Sequence, residues 1–473
     1  MNRRPLLIEA ITAAGLVAAP FVLPYLGFAP NTVNQILIWG LFGIGFDILF
    51  GYTGLLSFGQ SAFYGTGGFV TAYLLTRMGF PSVILALLIG MVVASVVGYL
   101  VGLIALRRTG IYFAMITIAI AEVFYFVEFS PLADFTGGEN GLPGVPAPAF
   151  NLGFTTIQLT SGWSMYGFLA VCYFIGIVIG LRISRSPVGA ILRAIRDNPQ
   201  RAAAVGHNIH AYKLTAFVIA AAYAGVAGGL LGILQGFMPP EAFTFETSGQ
   251  LVMQTAIGGR GTLFGPLVGA AVWLSLRDFL QAALGLGAAW KLVLGVVFVL
   301  LVCFLRRGII GSLVDLAGRY AAKRTAPAPA PLAPAATAPH LASVGPTRRH
   351  EEAPFSGPAL EARGITKSFG GITANRDIDF AVAQGELRGI IGPNGAGKST
   401  FFKMLTCEMP PTAGRVMFHG RDITGMAIAS VCQLGLTKSY QVNQLFTRLT
   451  VRENVVIGAL AERRGTFALD FLR

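Results

Sequence analysis

Apolar residues fall in blocks near 6–28, 32–50, 55–75, 82–106, 111–130, 162–181, 213–237, 263–283 and 288–305. Each has roughly the 20-residue length a helix needs to cross a bilayer, so the pattern predicts nine spanning helices. The polar residues between them carry a consistent sign. Arg107 and Arg108 follow the fourth block, Arg182, Arg185, Arg193, Arg196 and Arg201 the sixth, and Arg306 and Arg307 the last. The loop 131–161 contains Asp134 and Glu139 and neither Lys nor Arg. The positive-inside rule places the arginine clusters and the N-terminus in the cytoplasm and loop 131–161 outside. Nine crossings from that start would leave Arg306 and Arg307 outside. The short apolar run 249–257, broken from the next block by Gly258-Gly259-Arg260-Gly261, supplies a tenth, bent crossing and restores the parity. Irregular backbone at that depth is tolerated where protein buries it or where it lines a cavity. The first block is longer than a signal-peptide core and contains Pro20 and Pro24, which favours an uncleaved span.

The pattern then changes. Residues 321–358 include Ala326-Pro327-Ala328-Pro329-Ala330-Pro331, an extended, coreless composition suited to a linker. From Ala359 onward the chain reads as α/β. Leu387-Arg388-Gly389-Ile390-Ile391 predicts a buried strand, and Thr400 to Thr406 opens a helix. Between them lies Gly392-Pro393-Asn394-Gly395-Ala396-Gly397-Lys398-Ser399, which matches G-x-x-x-x-G-K-[ST] at every fixed position. Strand, glycine loop and helix start form the context in which this motif cradles phosphate. Lys398 is placed to reach the terminal phosphates of a nucleotide and Ser399 to ligate Mg2+. The expected organisation is a membrane domain at 1–320, a Pro/Ala-rich linker at 321–358 and a nucleotide-binding region at 359–473. The fold class is a polytopic α-helical membrane domain of about eight to ten spans, followed by an incomplete α/β P-loop domain.

Composition supports a membrane protein: 54% of residues are hydrophobic and 12% charged, against roughly 25% charged in an average soluble chain. The net charge of +13 does not signal nucleic acid, because the basic residues sit in short loops between apolar blocks. Cys172, Cys303, Cys407 and Cys432 are scattered without C-x-x-C spacing and read as reduced thiols. Gly225, Gly228, Gly229 and Gly232 on one span predict close helix packing. Asp47, Glu122 and Glu128 lie within or beside apolar blocks, where acids are costly and mark function or structural pairing.

Several stretches carry a family resemblance. Gly392 to Thr400, GPNGAGKST, resembles the Walker A loop of ATP-binding cassette (ABC) proteins. Lys367-Ser368-Phe369-Gly370-Gly371 resembles their adenine-stacking segment, with Phe369 as the aromatic residue. Ser439 to Phe446 resembles the Q-loop, in which Gln441 would contact magnesium and the attacking water, and Thr450 to Val455 continues the match. In the apolar part, Gly54 to Phe63, Thr136 to Gly141, Ser186 to Pro199 and Gly258 to Pro266 resemble, in order, motifs of permeases for branched-chain amino acids. The resemblance implies a coupling helix within 187–206 that uses Pro187, Arg193, Arg196, Asn198, Ala202 and Gly206. Gln200 and Arg201 depart from the acidic start of that pattern, Asp47 stands where Asn is commoner, and Cys407 stands where Gly is usual.

After Gln441 the sequence shows no second acidic magnesium ligand, water-orienting glutamate, switch histidine or Leu-Ser-Gly-Gly-Gln-type signature. No catalytic residue is therefore assigned, and autonomous ATP hydrolysis is not expected. The resemblance implies a fused permease and truncated cassette of a branched-chain amino acid importer in a bacterial inner membrane. Its N-terminus and cassette would be cytoplasmic. Implied partners are a second permease, a complete cassette subunit, an extracytoplasmic solute-binding protein and the bilayer. Alternatives are a permease with a degenerate docking or regulatory tail, an ion-driven transporter, or a transporter of another small polar solute such as an amide or urea.

Overall fold

The computed structural model describes residues 4–151, 156–158, 162–283, 289–305, 307–324, 357–441 and 444–462. Arg306, most of the linker, and the residues 442–443 that follow Gln441 lie outside this set. The chain forms two units. One comprises Met1–Arg196 and His210–Tyr320, and the other Asp197–Ile209 and Ala321–Gly465.

The first unit is helical. Its apolar helices are α1 (Arg4–Val22), α2 (Pro30–Asp47), α3 (Gln60–Thr76), α4 (Val83–Ala105), α5 (Ile111–Phe129) and α6 (Trp163–Arg185). The connecting helix α7 (Pro187–Asp197) comes next, followed in the chain by α8 (Pro199–Ala204), which belongs to the second unit. Then follow α9 (Ile209–Gln235), α10 (Phe245–Gly258), α11 (Gly265–Asp278), α12 (Trp290–Phe304) and α13 (Gly308–Arg324). Among the described residues, six segments are long and apolar enough to cross a membrane on their own: Leu7–Tyr25, Pro30–Tyr52, Val83–Ala105, Ile111–Phe129, Trp163–Arg185 and Ile209–Gln235. The run 249–257 is part of the 14-residue helix α10, one more apolar helix than the nine blocks predict. The third block starts later than its hydrophobicity suggests. Residues 53–59 are irregular, and Gln60 begins the helix once the Ser61 N–H has found the Ser248 hydroxyl at 2.9 Å.

The glycines of α9 serve close packing. A Cβ on Gly225 would sit 2.5 Å from the Ala94 Cβ, and one on Gly67 of α3 would strike the Gly225 backbone. Small residues let three helices meet at backbone distance, as between membrane helices generally. Glu128 is buried and its carbonyl accepts the Thr136 hydroxyl at 2.9 Å, whereas Glu122 lies exposed on the outer stripe of α5.

The second unit has a four-stranded antiparallel sheet of β1 (Leu360–Phe369), β2 (Ile372–Val382), β3 (Ala413–Phe418) and β4 (Arg421–Asp422), ordered β2-β1-β3-β4. Gly370, at φ 56°, opens the tight β1–β2 turn. Helix α14 (Lys398–Leu405) packs Phe401, Met404 and Leu405 on Ala362, Ile365 and Val416 of the sheet. Two further helices, α15 (Ile428–Gln433) and α16 (Val451–Glu462), complete the described part.

The expected buried strand at Leu387–Ile391 does not form. The segment is irregular, with Leu387 100% and Ile391 96% exposed, and only Ile390 leans on the core. An apolar run becomes a buried strand when neighbours supply ladder bonds and cover both faces. Among the described residues no strand pairs with it.

Candidate nucleotide loop and transmission loop

The phosphate loop has the backbone its sequence calls for. Gly395 and Gly397 adopt φ 85° and 80°, a region where a side chain is strained and glycine is not. Gly397 also has no room for a Cβ, which would come within 2.9 Å of the Asn375 amide nitrogen. The Ala396 N–H donates to the Pro393 carbonyl at 3.3 Å, and the Phe401 N–H closes the first helical bond to Gly397 at 2.8 Å. Gly392, Pro393, Asn394, Gly395 and Ala396 are exposed. Lys398 starts α14, and its ammonium donates to the carbonyls of Gly392 at 2.5 Å and Pro393 at 2.7 Å. Ser399 is exposed in the first helical turn, with Thr400 beside it. This donor set suits a polyphosphate with its metal: main-chain N–H groups at a helix start, one ammonium and one free-standing hydroxyl.

Phe369 is 47% exposed at the tip of the β1–β2 hairpin, with the Lys367 ammonium 5.4 Å from its ring centre. Gln441 is exposed and has no hydrogen bond to the phosphate loop among the described residues. What holds the segment before it was not visible in the sequence. Glu408, just beyond α14, accepts from Lys438 at 2.8 Å and from the Tyr440 hydroxyl at 3.0 Å through the same oxygen. Burial and the adjacent Glu408 carboxylate push the Tyr440 phenol up to about 12. This clamp ties the end of the phosphate-loop helix to the residue before Gln441. Nothing local marks a pairing across 30 residues, so sequence inspection misses it. Cys407 is buried at φ 57°, and its thiol donates to the Ile423 carbonyl at 3.1 Å.

The structure divides the loop expected to transmit motion. In α7, Val188, Ile191, Leu192 and Ile195 are buried within the helical unit. Pro187 begins this helix, Arg193 donates to the Ser184 carbonyl at 3.5 Å, and Arg196 donates to the Gly51 carbonyl. From Asp197 onward the partners lie in the sheet-bearing unit. Asp197 accepts the Arg448 N–H at 3.1 Å, and the Asn198 amide donates to Gln444 Oε1 at 2.6 Å. Asn198 also caps α8 through the Arg201 N–H at 3.0 Å, with Pro199 in the first helical position. Ala202 is fully buried, Gly206 accepts from Gln433 at 3.0 Å, and buried His207 meets the Ile457 carbonyl at 2.9 Å. Asn198 and Gly206 thus pair with Gln444 and Gln433, on either side of Gln441 in the sequence, and Ala202 is buried in the helix between them. Gln433, Gln444 and His207 were not legible as contacts.

A bundle of apolar helices joined to a sheet-and-helix region with a phosphate loop defines a membrane transport protein carrying an ATP-binding cassette region. Residues 28–302 match the permease component of branched-chain amino acid transport systems, and residues 375–472 match the ABC transporter family. The chain belongs to the branched-chain amino acid permease family, with an ABC transporter region behind the permease part. It is 30% identical over 286 residues to the high-affinity branched-chain amino acid transport system permease protein LivM of Escherichia coli (strain K12), covering 56% of this chain and 66% of that one. It is 40% identical over 108 residues to the ribose import ATP-binding protein RbsA 1 of Rubrobacter xylanophilus, covering 23% of this chain and 22% of that one. A probable ABC transporter ATP-binding protein of Azorhizobium caulinodans is 35% identical over 152 residues, 32% of this chain and 51% of that one. The chain therefore spans just under two thirds of the permease relative and less of the ATP-binding ones.

Proposed function

We propose that this chain is a membrane subunit of an ATP-driven importer of branched-chain or related amino acids, and that its cassette region seats on its own loop 197–209. The seating carries the reading. Four hydrogen-bonded contacts, from Asp197, Asn198, Gly206 and His207, meet the cassette around Gln433, Gln444, Arg448 and Ile457. A cassette that moves on binding nucleotide would move this loop through those contacts.

In this reading Gly392–Thr400 would hold ATP, Phe369 would take its adenine, and Ser399 and Gln441 would hold Mg2+. The bound metal would supply charge neutralisation at the phosphates. Lys398 would exchange its two carbonyl partners for phosphate oxygens, and the Glu408–Tyr440 clamp anchors the residue before Gln441 to the end of α14. The acidic strand end, the water-orienting carboxylate and the signature motif come from outside residues 359–473. The assembly comprises a second permease, a complete cassette subunit and an extracytoplasmic solute-binding protein. The permease lies in a bacterial inner membrane, with the N-terminus, loop 183–212 and the cassette region on the cytoplasmic side.

A bifunctional thiol cross-linker tests the seating. The paired variant Asn198→Cys, Gln444→Cys, in a background without the native cysteines, should cross-link within one chain in native membranes, and ATP should change the yield. Absence of any intramolecular product would remove the basis for the reading.

A further inference from the structure

We infer that Asp47 and Arg196 form a clasp that positions the glycine-rich turn 259–264 and links it to the end of α7. This rests on the importer reading only for its consequence, not for its geometry. Asp47 is fully buried at the last turn of α2. Both of its carboxylate oxygens are engaged, one with the Gly261 N–H at 2.6 Å and the other with the Leu263 N–H at 2.9 Å. The turn has left the helix, so these N–H groups have no helical carbonyl, and inside an apolar bundle they need a partner from elsewhere. Asp47 supplies it for two at once.

The turn is held against its own preference. Gly259 and Gly261 sit at φ 120° and 79°, and Leu263 is pulled to φ 60°. A leucine stays in that region only where its surroundings over-determine it. The helices on either side leave no slack. A Cβ on Gly258 would strike Gly265, and one on Gly269 would strike the Gln254 carbonyl. The α10–turn–α11 hairpin therefore moves as a piece or not at all.

Arg196 closes the clasp from the other side. It donates to the carbonyl of Gly51, in the π-helical turn Ile48–Tyr52 that continues α2 directly after Asp47. The four groups converge. A Cβ on Gly51 would strike Asp47 Oδ1 and the Gly261 nitrogen, and one on Gly261 would lie 3.4 Å from Arg196 Nη1 and 3.5 Å from the Gly51 carbonyl oxygen. Asp197, the next residue in the chain, accepts from Arg448. One peptide bond thus separates the residue that grips the base of α2 from the residue that belongs with the cassette. Withdrawing the end of α7 takes Arg196 from Gly51 and loosens the wall against which Asp47 holds the turn. Asp47 and Arg196 are positioning residues in this arrangement: neither needs to touch solute or nucleotide.

The test is labelling of Leu263→Cys by a membrane-permeant maleimide, in a background without native cysteines. Leu263 is 1% exposed, so labelling is slow in the parent. Arg196→Ala and Asp47→Asn should each speed it about tenfold or more, since each removes a hydrogen bond to or from a charged group, and Arg196→Lys, which keeps a donor but on a shorter, single-headed side chain, should speed it less. Phe69→Cys on α3 is equally sheltered at 6% exposure, touches none of these groups and should stay slow. Acceleration with Asp47→Asn but with neither Arg196 variant would reduce Asp47 to a simple cap and overturn the link to α7. Acceleration at both reporter positions in all variants would report general loosening and overturn the clasp as well. In the assembled importer, Arg196→Lys should lower maximal uptake and leave KM unchanged, and a change in KM alone would overturn a positioning role. Failure of the parent assembly to take up any amino acid would count against the importer reading and leave the labelling result standing.

Discussion

Two glycine-rich turns in this chain use the same backbone chemistry to opposite ends. The turn Gly258–Pro266 and the loop Gly392–Thr400 both use positive-φ backbone and lead into a helix, α11 in one case and α14 in the other. In the first, a carboxylate of the protein itself, Asp47, occupies the N–H groups, and the surroundings exclude even a methyl group. In the second, most residues are exposed and no carboxylate bonds to the loop among the described residues; its one cation leans on two of the loop's own carbonyls. Oriented N–H groups bind an anion in either setting. Burial decides whether that anion is a side chain fixed at folding or a ligand that comes and goes.

The sharpest way to break this comparison is to remove the internal anion. Asp47→Ala strands one buried and one partly buried N–H group at roughly 1–3 kcal/mol each, so the helical unit should lose about 3 kcal/mol of stability and accumulate poorly in membranes. Thermal unfolding in detergent would read the first and quantitative blotting the second. A loss below about 1 kcal/mol would mean that water reaches the turn and that the contrast in burial is wrong.

The matching experiment on the exposed loop should leave folding intact and change binding. Lys398→Ala should weaken ATP by about tenfold or more and AMP little, because a charge-assisted contact to the terminal phosphates is lost. Phe369→Ala should weaken both nucleotides alike, by about three- to tenfold, through the lost ring stacking. Calorimetric titration of the purified full chain separates the two patterns. Equal losses of ATP and AMP on Lys398→Ala would show that the loop does not receive phosphate in the manner of an anion site.

The smallest effect belongs to the clamp behind Gln441. The Tyr440 phenol is raised to about 12 in the folded chain by burial and by Glu408, above an unfolded value of about 10. The folded state therefore holds the proton more tightly. The stability this contributes is complete below about pH 10 and is lost as pH rises toward 12. Tyr440→Phe should flatten that alkaline slope in chemical denaturation of the sheet-bearing unit, and an unchanged slope would place the titrating group elsewhere.

Much of this protein is written locally. Apolar blocks of helical length predict the helices, because bilayer thickness and helix rise fix the number of residues required. The phosphate loop and its helix are legible because their backbone demands fall within nine consecutive residues, Gly392 to Thr400. The close packing of α9 follows from its glycines for the same reason. Other features depend on groups that are distant in sequence. Asp47 meets Gly261 across 214 residues and Asn198 meets Gln444 across 246, and no spacing rule reaches that far. The division of the coupling stretch between Arg196 and Asp197 follows which unit supplies each residue's partner, Gly51 for one and Arg448 for the other, not residue type. Leu387–Ile391 shows the converse: the sequence supplies the apolar residues of a strand, but a strand exists only where a neighbour completes its ladder, and that is a property of the tertiary structure.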